Sequence, residues 1–210
     1  MPDSGALSDS DADRVLVVAS QNPGKSREIA RILRVFDVRT LPEAPAVDFP
    51  GEGGDYAENA RTKALVAARA LGLPCVADDS GLEVDAMDGR PGAYSARYGG
   101  SGLDDRGRLE RLLEELEGVP VPRRARFRCV AACAWPDGRT AIAEGVCEGE
   151  ILEVAKGEGG FGYDPVFRPR GFDRSMAELA REEKDGLSHR GRAFRELRAE
   201  LARLAREAGS

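Results

Sequence analysis

Apolar residues recur along the chain either in short continuous runs or in stripes spaced three to four residues apart. The run Arg14–Ala19 is β-branched and apolar, which predicts a buried strand, and a second strand is expected at about Asp37–Leu41. Between these runs, Asn22 and Pro23 are typical of a helix start, and residues 29–33 place their apolar side chains on one helix face. The chain therefore opens with a strand, a helix and a strand.

The next part of the chain carries a long stretch of helical spacing. The many small residues of Tyr56–Leu71 predict a closely packed helix, and Asp55 begins it as part of a capping box. The sequence "PCVA" at residues 74–77 predicts a short strand that delivers two adjacent aspartates. The sequence "LEVDAM" at residues 82–87 is interpreted as another strand.

The C-terminal half combines a hairpin with two amphipathic helices. The leucines of residues 109–116 predict a helix that ends at Gly118. The apolar stretches 127–135 and 140–147 flank "PDG", which is a hairpin signal. A last apolar stripe predicts a helix that starts near Ser188. Because strand–helix units are interrupted by a hairpin, the order indicates an α/β or α+β protein with a mixed sheet.

Composition and charge narrow the range of functions. The chain has 210 residues, 41% of them hydrophobic and 32% charged, as expected for one globular domain at residues 14–207. A formal net charge of −6 argues against nucleic acid or an anionic membrane as the main partner. No apolar run approaches the length of about 18 residues that a membrane span needs. Residues 1–13 are acidic and polar, so we expect a disordered tail that stability and activity do not require.

The cysteines indicate a reducing environment. Cys75, Cys129, Cys133 and Cys147 form no C-x-x-C pair, and the chain has a single histidine, which argues against a zinc site. All four cysteines lie in apolar surroundings, as is typical of reduced core residues. We therefore expect a cytoplasmic protein.

Two stretches offer groups for a phosphorylated ligand and a metal ion. "SQNPGK" (Ser20–Lys25) opens a helix, where free backbone N–H groups and a lysine suit a phosphate; an ordinary capped helix with a solvated lysine has the same pattern. Asp78 and Asp79 offer oxygen ligands for Mg²⁺, with Glu52 in the preceding loop, and the alternative is a solvated acidic turn. Neighbours in a strand point to opposite faces, so we expect one aspartate to face metal and water and the other to be tied to backbone donors.

Two further stretches offer contacts for a base. In "GEGGFGYDPVF" (residues 157–167) the glycines permit close approach of a ligand, and Phe161 and Tyr163 either stack on a planar ring or pack in the core. "KDGLSHRG" (residues 184–191) gathers three basic side chains where the last helix begins. These donors suit carbonyl oxygens or phosphates, or are merely solvated on a helix capped by Ser188. Together the four stretches indicate a nucleotide site.

Five motifs in this order resemble the Ham1/RdgB-like family of inosine triphosphate pyrophosphatases: "SQNPGK", "ENARTKA", "VADDSGLEVDAMDGRPGAYSARY", "GGFGYDPVF" and "KDGLSHRG". The resemblance covers nearly everything from Arg14 to the last helix. It implies an α/β fold in which a mixed twisted sheet with flanking helices forms two lobes around a central nucleotide cleft, in a homodimer. It also implies Mg²⁺-dependent hydrolysis of dITP, ITP and XTP to the monophosphate and pyrophosphate.

The resemblance also implies the roles of single residues. Asp79 matches the proton acceptor and a metal ligand, and Glu52 is the best match for the second metal carboxylate. The residues implied to bind substrate are Ser20, Gln21, Asn22, Pro23, Gly24, Lys25 and Lys63 at the phosphates, Ser80, and, chiefly around the base, Phe161, Gly162, Tyr163, Asp164, Lys184, His189 and Arg190.

Two other hypotheses stay open, because phosphate chemistry does not fix the base. One is a pyrophosphatase that acts on other modified nucleotides. The other is a sensor that binds a nucleotide and never turns it over.

Overall fold

A computed structural model describes residues 15–41, 47–100 and 102–208, and the predicted tail at residues 1–13 lies outside this range. The strands are β1 (Val15–Val18), β2 (Asp37–Thr40), β3 (Cys75–Val84), β4 (Pro91–Gly92), β5 (Arg123–Ala134), β6 (Thr140–Ile151) and β7 (Phe167–Pro169). The helices are α1 (Pro23–Ile32), α2 (Tyr56–Leu71), α3 (Asp105–Glu115), α4 (Arg181–Leu187) and α5 (His189–Ala208).

The strands form one mixed sheet in the order β2-β1-β3-β5-β6-β7, and β4 pairs with the free edge of β3 near its end. β1 is parallel to both β2 and β3, because helical crossovers connect these strands. β5 is antiparallel to β3 and forms the predicted hairpin with β6. The mixed sheet and its flanking helices confirm the predicted fold class.

The predicted helix starts are confirmed by their capping contacts. Asn22 Oδ1 accepts hydrogen bonds from Gly24 N at 2.8 Å and from Lys25 N at 3.1 Å at the start of α1. Asp55 Oδ1 accepts from the backbone of α2 at 2.9 Å, and Ser188 Oγ accepts from the backbone of α5 at 3.0 Å. Each cap satisfies backbone donors that have no partner inside the helix.

The prediction of two short strands around the aspartates is wrong. β3 is one ten-residue strand with Asp78 and Asp79 near its centre, and all ten residues are in register with β5. The Ser-Gly pair that follows the aspartates does not form a turn. A Cβ on Gly81 would lie 2.0 Å from the carbonyl oxygen of Gly92, so this glycine permits the close approach of β4. The stretch 82–87 ends β3 and continues into a 3₁₀ turn.

Two lobes meet along β3. At the start of β3 an apolar core fills each face of the sheet, one under α1 and α5 and the other under α2. At the end of β3 a third core packs against α3 and includes Leu82, Phe127 and Ile151. The register and the alternation of side chains place this third core on the same face as α1 and α5. Between the two cores on that face, β3 presents Asp78 and Ser80, so a polar cleft separates the lobes.

All four cysteines are buried and free, as predicted. No helix in the described ranges combines the length and the apolar character that crossing a membrane requires.

Candidate active site

The cleft opens along one edge of β3. On this edge β1 pairs only with the start of β3 and β4 only with its last residues. The carbonyl of Val76 accepts a hydrogen bond from the backbone after β1 at 2.7 Å, and Leu82 N donates to a serine hydroxyl at 2.8 Å. Even-numbered residues therefore direct their backbone groups to this edge. Asp78 and Ser80 lie between these points. On this edge no described strand pairs with them, so their backbone groups face the cleft.

The two adjacent aspartates have different partners on opposite faces of β3. Asp78 Oδ2 lies 3.1 Å from Lys25 Nζ and 3.2 Å from an Arg190 terminal nitrogen. Asp79 Oδ2 instead accepts a hydrogen bond from Asn59 Nδ2 at 2.8 Å. The predicted difference between the two side chains is confirmed. The expectation that one is tied to backbone donors is wrong, because the partners of both carboxylates among the described residues are side chains and the cations of α1 and α5 reach Asp78 directly.

Asp78 belongs to a buried chain of alternating charges that crosses the cleft. Successive charged atoms lie between 2.6 and 3.2 Å apart, and every member is 5% exposed or less except the lysine of α1. The three cations and three anions balance, so the chain as a whole is neutral. Its basic groups are therefore not merely solvated. The members in order are Lys25, Asp78, Arg190, Glu28, Lys184 and Asp164.

A close helix–sheet contact brings the start of α5, and with it Arg190, onto the sheet. A Cβ on Gly145 of β6 would lie 2.2 Å from His189 O and 2.5 Å from Ala193 N. Glycine alone allows the first turn of α5 to approach β6 this closely. The contact seats Arg190 over Asp78.

Arg190 uses most of its hydrogen-bonding capacity within the protein. Its Nε and one terminal nitrogen donate to Asp78 at 3.3 and 3.2 Å, and the same terminal nitrogen donates to Ser80 Oγ at 2.8 Å. The other terminal nitrogen donates to Glu28 at 2.6 Å. These four contacts occupy four of the five N–H groups of a guanidinium. One N–H group is left for a ligand.

Burial and the charged groups on this face of β3 shift the pKa values of Asp78 and His189. Burial alone would raise the pKa of Asp78, but Lys25 and Arg190 hold it far below its usual range. Burial lowers the pKa of His189 well below 6.5, and the nearby Arg190 adds to this effect. The neutral imidazole stacks on Phe127 with ring centroids 4.7 Å apart. Its Nδ1 is buried and has no hydrogen-bond partner among the described residues, so it is available to a ligand.

The opposite face of β3 carries a smaller polar cluster. Lys63 Nζ lies 2.6 Å from Glu52 Oε1 and 3.5 Å from Asp79 Oδ1. Burial raises the pKa of Asp79, and the charge of Lys63 and the hydrogen bond from Asn59 only partly oppose it. Burial acts on Glu52 in the same direction, but the hydrogen bond from Lys63 lowers the pKa of Glu52 overall. Of the two carboxylates in this cluster, Asp79 is therefore the one with the weaker compensation for its charge.

The Glu52–Asp79 cluster fits a metal ion that is shared with a ligand. Two carboxylates already converge on one positive charge, that of Lys63. Within the described ranges no group of three or more acidic, histidine or cysteine side chains encloses a complete metal site. Mg²⁺ typically takes one or two carboxylates together with water and substrate phosphates. The residues present suit this mode of binding.

One cavity brings together most of the residues implied to bind substrate. Phe161 lies against the start of α1, because a Cβ on Gly24 would be 2.9 Å from its ring. The Tyr163 side chain is buried, and its hydroxyl donates to Ser95 O at 2.9 Å, so this tyrosine belongs to the core. The predicted residues that line the cavity are Asn22, Lys25, Ser80, Phe161, Gly162, Tyr163, Asp164, Lys184, His189 and Arg190.

The remaining candidates lie around this cavity. Ser20 and Gln21 lead into α1 beside it, and Pro23 and Gly24 are the first two residues of α1. Glu52, Lys63 and Asp79 do not line it and lie across the open edge of β3.

Sequence reasoning missed two residues that organise the site. Glu28 pairs with both Arg190 and Lys184, and Asn59 contacts Asp79. The signal for Glu28 was its position on the helix face of Lys25, three residues on. The signal for Asn59 was its position four residues before Lys63, on the same face of α2.

Comparison with known proteins identifies the family. The Ham1 family model matches residues 16–200. The chain is 48% identical to the dITP/XTP pyrophosphatase of Desulforamulus reducens, over 90% of this chain and 96% of the relative, and 48% identical to that of Geobacillus kaustophilus, over 87% and 91%. A Ham1 protein of Coxiella burnetii superimposes with a TM-score of 0.79 at 39% identity, over 90% of this chain and 98% of that one. This chain belongs to the Ham1 family.

Proposed function

We propose that this protein is a Mg²⁺-dependent nucleoside triphosphate pyrophosphatase that converts dITP, ITP and XTP to the monophosphate and pyrophosphate. The observation that carries the proposal is the arrangement around the open edge of β3. The cavity with Lys25, Lys184 and Phe161 lies on one side of this edge, and Glu52, Lys63 and Asp79 lie on the other. The relatives named dITP/XTP pyrophosphatase support the same activity.

In this mechanism Asp79 orients a water molecule and takes its proton as the water oxygen bonds to the α-phosphorus. The bond from the α-phosphorus to the bridging oxygen breaks, and the electron pair leaves with pyrophosphate. Of the two carboxylates that contact Lys63, Asp79 suits this role because burial raises its pKa, whereas the pKa of Glu52 is lowered. Lys25 and Lys63 stabilise the charge on the leaving group as fixed cations. Glu52 and Asp79 would hold Mg²⁺, which supplies Lewis-acid stabilisation of the phosphate oxygens.

The base is placed at the far end of the cavity, between Phe161 and the start of α5. Hypoxanthine and xanthine carry a 6-oxo acceptor where adenine carries an amino group. The free N–H of Arg190 suits this acceptor, and the unpartnered Nδ1 of neutral His189 gives a second polar contact. An adenine amino group would leave such a buried donor unpaired, which costs on the order of 1–3 kcal/mol. The remaining residues of the Ser20–Lys25 turn and of residues 161–164 are assigned to the phosphates and the nucleoside.

A homodimer in the cytoplasm is part of the proposal. The four buried, free thiols suit a reducing compartment. Light scattering after gel filtration should give twice the chain mass of 22.5 kDa. The mass of a single chain would contradict the dimer without affecting the proposed reaction.

Pyrophosphate release from ITP, dITP, XTP, GTP and ATP by the purified protein, with Mg²⁺ and with EDTA, tests the function. We expect Mg²⁺-dependent release from ITP, dITP and XTP, and little from ATP. Asp79→Asn protein purified in parallel is the control, because a contaminating phosphatase would remain in that preparation. Faster release from other modified nucleotides would support the wider pyrophosphatase hypothesis. Tight binding of ITP without pyrophosphate release would support the sensor hypothesis.

A further inference from the structure

Asn59 connects the loop that carries Glu52 to β3, the same two segments that Lys63 bridges. Its Oδ1 accepts a hydrogen bond from Gly53 N at 2.9 Å, and its Nδ2 donates to Gly53 O at 2.9 Å. The same Nδ2 donates to Asp79 Oδ2 at 2.8 Å. The side chain is 6% exposed, and its bond to Asp79 is buried, whereas the two bonds to Gly53 are part-buried. One amide group therefore holds a peptide unit of the loop and a carboxylate of β3.

These contacts fix the two carboxylates that face Lys63. Gly53 follows Glu52 directly, so the pair of hydrogen bonds to its backbone sets where the Glu52 side chain begins. The bond to Asp79 Oδ2 fixes the orientation of that carboxylate and leaves Oδ1 facing Lys63 at 3.5 Å. Asn59 itself does not line the nucleotide cavity. It therefore acts on the cluster through Glu52 and Asp79.

Few side chains can replace Asn59 in this role. Alanine and leucine offer no hydrogen bonds, so they would remove both bonds to the Gly53 backbone and leave the buried Asp79 Oδ2 without its amide donor. Aspartate cannot donate to Asp79. Glutamine carries the same amide one methylene further from α2, where it cannot reach the same three atoms from the same backbone position. The contacts specify an asparagine.

We propose that Asn59 is a positioning residue that sets the separation and orientation of Glu52 and Asp79 for one shared divalent cation. The inference rests on the proposed function, because that function supplies the cation. Asn59 makes no contact with substrate and transfers no proton. It holds the loop and β3 in the arrangement that the cation needs, so that the protein does not have to order the two segments when the cation binds.

Asn59→Leu and Asn59→Ala test the role, and Arg61→Ala is the matched control. Arg61 lies on the exposed face of the same helix, where it forms an ion pair with Glu58. The first measurement is the binding of Mn²⁺ to substrate-free protein, followed by electron paramagnetic resonance of the free ion. Partners of metal ligands typically contribute 10- to 100-fold to metal affinity, so we expect Mn²⁺ binding about 10- to 100-fold weaker in both Asn59 variants and unchanged in Arg61→Ala.

Kinetics and product binding give the second set of measurements. We expect the Mg²⁺ concentration for half-maximal ITP hydrolysis to rise by about the same 10- to 100-fold factor, with kcat reduced. The KM for ITP at saturating Mg²⁺ and the calorimetric affinity for inosine monophosphate should stay near the wild-type values, because Asn59 lies outside the nucleotide cavity. A residue that only stabilised the fold would lower the melting temperature without this split between metal and nucleotide.

Unchanged Mn²⁺ affinity and unchanged Mg²⁺ dependence in folded Asn59 variants would overturn the inference. Failure of both variants to fold would also overturn it, since Asn59 would then be a structural residue of α2. If the wild-type protein does not hydrolyse ITP, the proposed function fails. The Mn²⁺ titration still decides the role of Asn59 in that case.

Discussion

The two faces of β3 treat adjacent, chemically identical side chains in opposite ways. Asp78 and Asp79 are 2% and 3% exposed, so both carboxylates have lost most of their hydration. The pKa of Asp78 is nevertheless held far below its usual range by Lys25 and Arg190, whereas burial raises the pKa of Asp79. Burial alone therefore does not decide the pKa of either carboxylate. The two differ in the number and closeness of the cations that compensate them.

The difference also has an energetic meaning. Two cations lie within 3.2 Å of Asp78, so its negative charge is already matched in the absence of a ligand. Asp79 has one amide partner and shares the ammonium of Lys63 with Glu52. Added positive charge or a proton gains more at Asp79 than at Asp78. On the face of Asp78 the charges are balanced within the protein. On the face of Asp79 two carboxylates share one ammonium, and a bound cation would balance the remaining negative charge.

The comparison would be tested most strongly by replacing Asp79. In Asp79→Asn the side chain keeps its shape but can neither accept the proton nor bind a metal with a full charge. We expect kcat for ITP to fall by about 10²–10⁴-fold or more, with the melting temperature close to wild-type because a poorly compensated charge has been removed. Pyrophosphate release and thermal unfolding measure the two effects. Near wild-type turnover would show that another group accepts the proton.

The same change one residue earlier should act mainly on stability. Asp78→Asn removes the carboxylate partner of Lys25 and leaves Arg190 with Glu28 as its remaining buried anion. Removing one partner of a buried ion pair costs about 3–5 kcal/mol, so we expect a loss of that order in the free energy of unfolding. Urea denaturation of Asp78→Asn and Asp79→Asn side by side gives the comparison. Equal losses in the two variants would mean that the two faces do not differ.

Arg190 belongs to both parts of the site, because it is a member of the buried chain of alternating charges and also lines the cavity. We expect Arg190→Ala to lower kcat/KM for ITP more than for ATP and to narrow the preference by about tenfold. This corresponds to one lost hydrogen bond of about 1–3 kcal/mol at the 6-oxo group. The ratio of the two substrates within one variant cancels any loss of folded protein. If both values fall by the same factor, Arg190 serves the charge chain alone.

The sequence was sufficient for most of the helices, for the hairpin of β5 and β6 and for the separation of the aspartates. Alternation along a strand predicted that Asp78 and Asp79 point to opposite faces, and the capping signals at Asn22 and Ser188 predicted the helix starts. The end of β3 was predicted wrongly, because the apolar runs at residues 74–77 and 82–87 predict two separate strands. They form one strand because the pairing of β3 with β5 is continuous past Gly81, and this tertiary contact is not contained in the local sequence.

The partners of the site residues were less accessible from the sequence. Glu28 and Asn59 resemble ordinary polar residues of α1 and α2, and only the packing of other elements buries them. The proximity of Glu28 to Lys184 depends on how α1 meets α4, across more than 150 residues of chain. Helix spacing showed which face each residue occupies. It did not show what that face meets.

A small effect of pH on stability is expected from His189, which lies on the same face of the sheet as Asp78. Burial and Arg190 lower the pKa of His189 below its unfolded value of about 6.5, so the unfolded chain binds a proton that the folded protein does not. The contribution of the neutral His189 to the free energy of unfolding is fully present above pH 6.5 and is lost as the pH falls. Between pH 7.5 and 5.5 the loss is about 1.4 kcal/mol of unfolding free energy. His189→Gln has no such group, so its stability should fall less than wild-type over this interval in urea titrations at the two pH values. Equal losses would mean that His189 is protonated in the folded protein. Burial and the cations near Asp78 would then not keep this imidazole neutral.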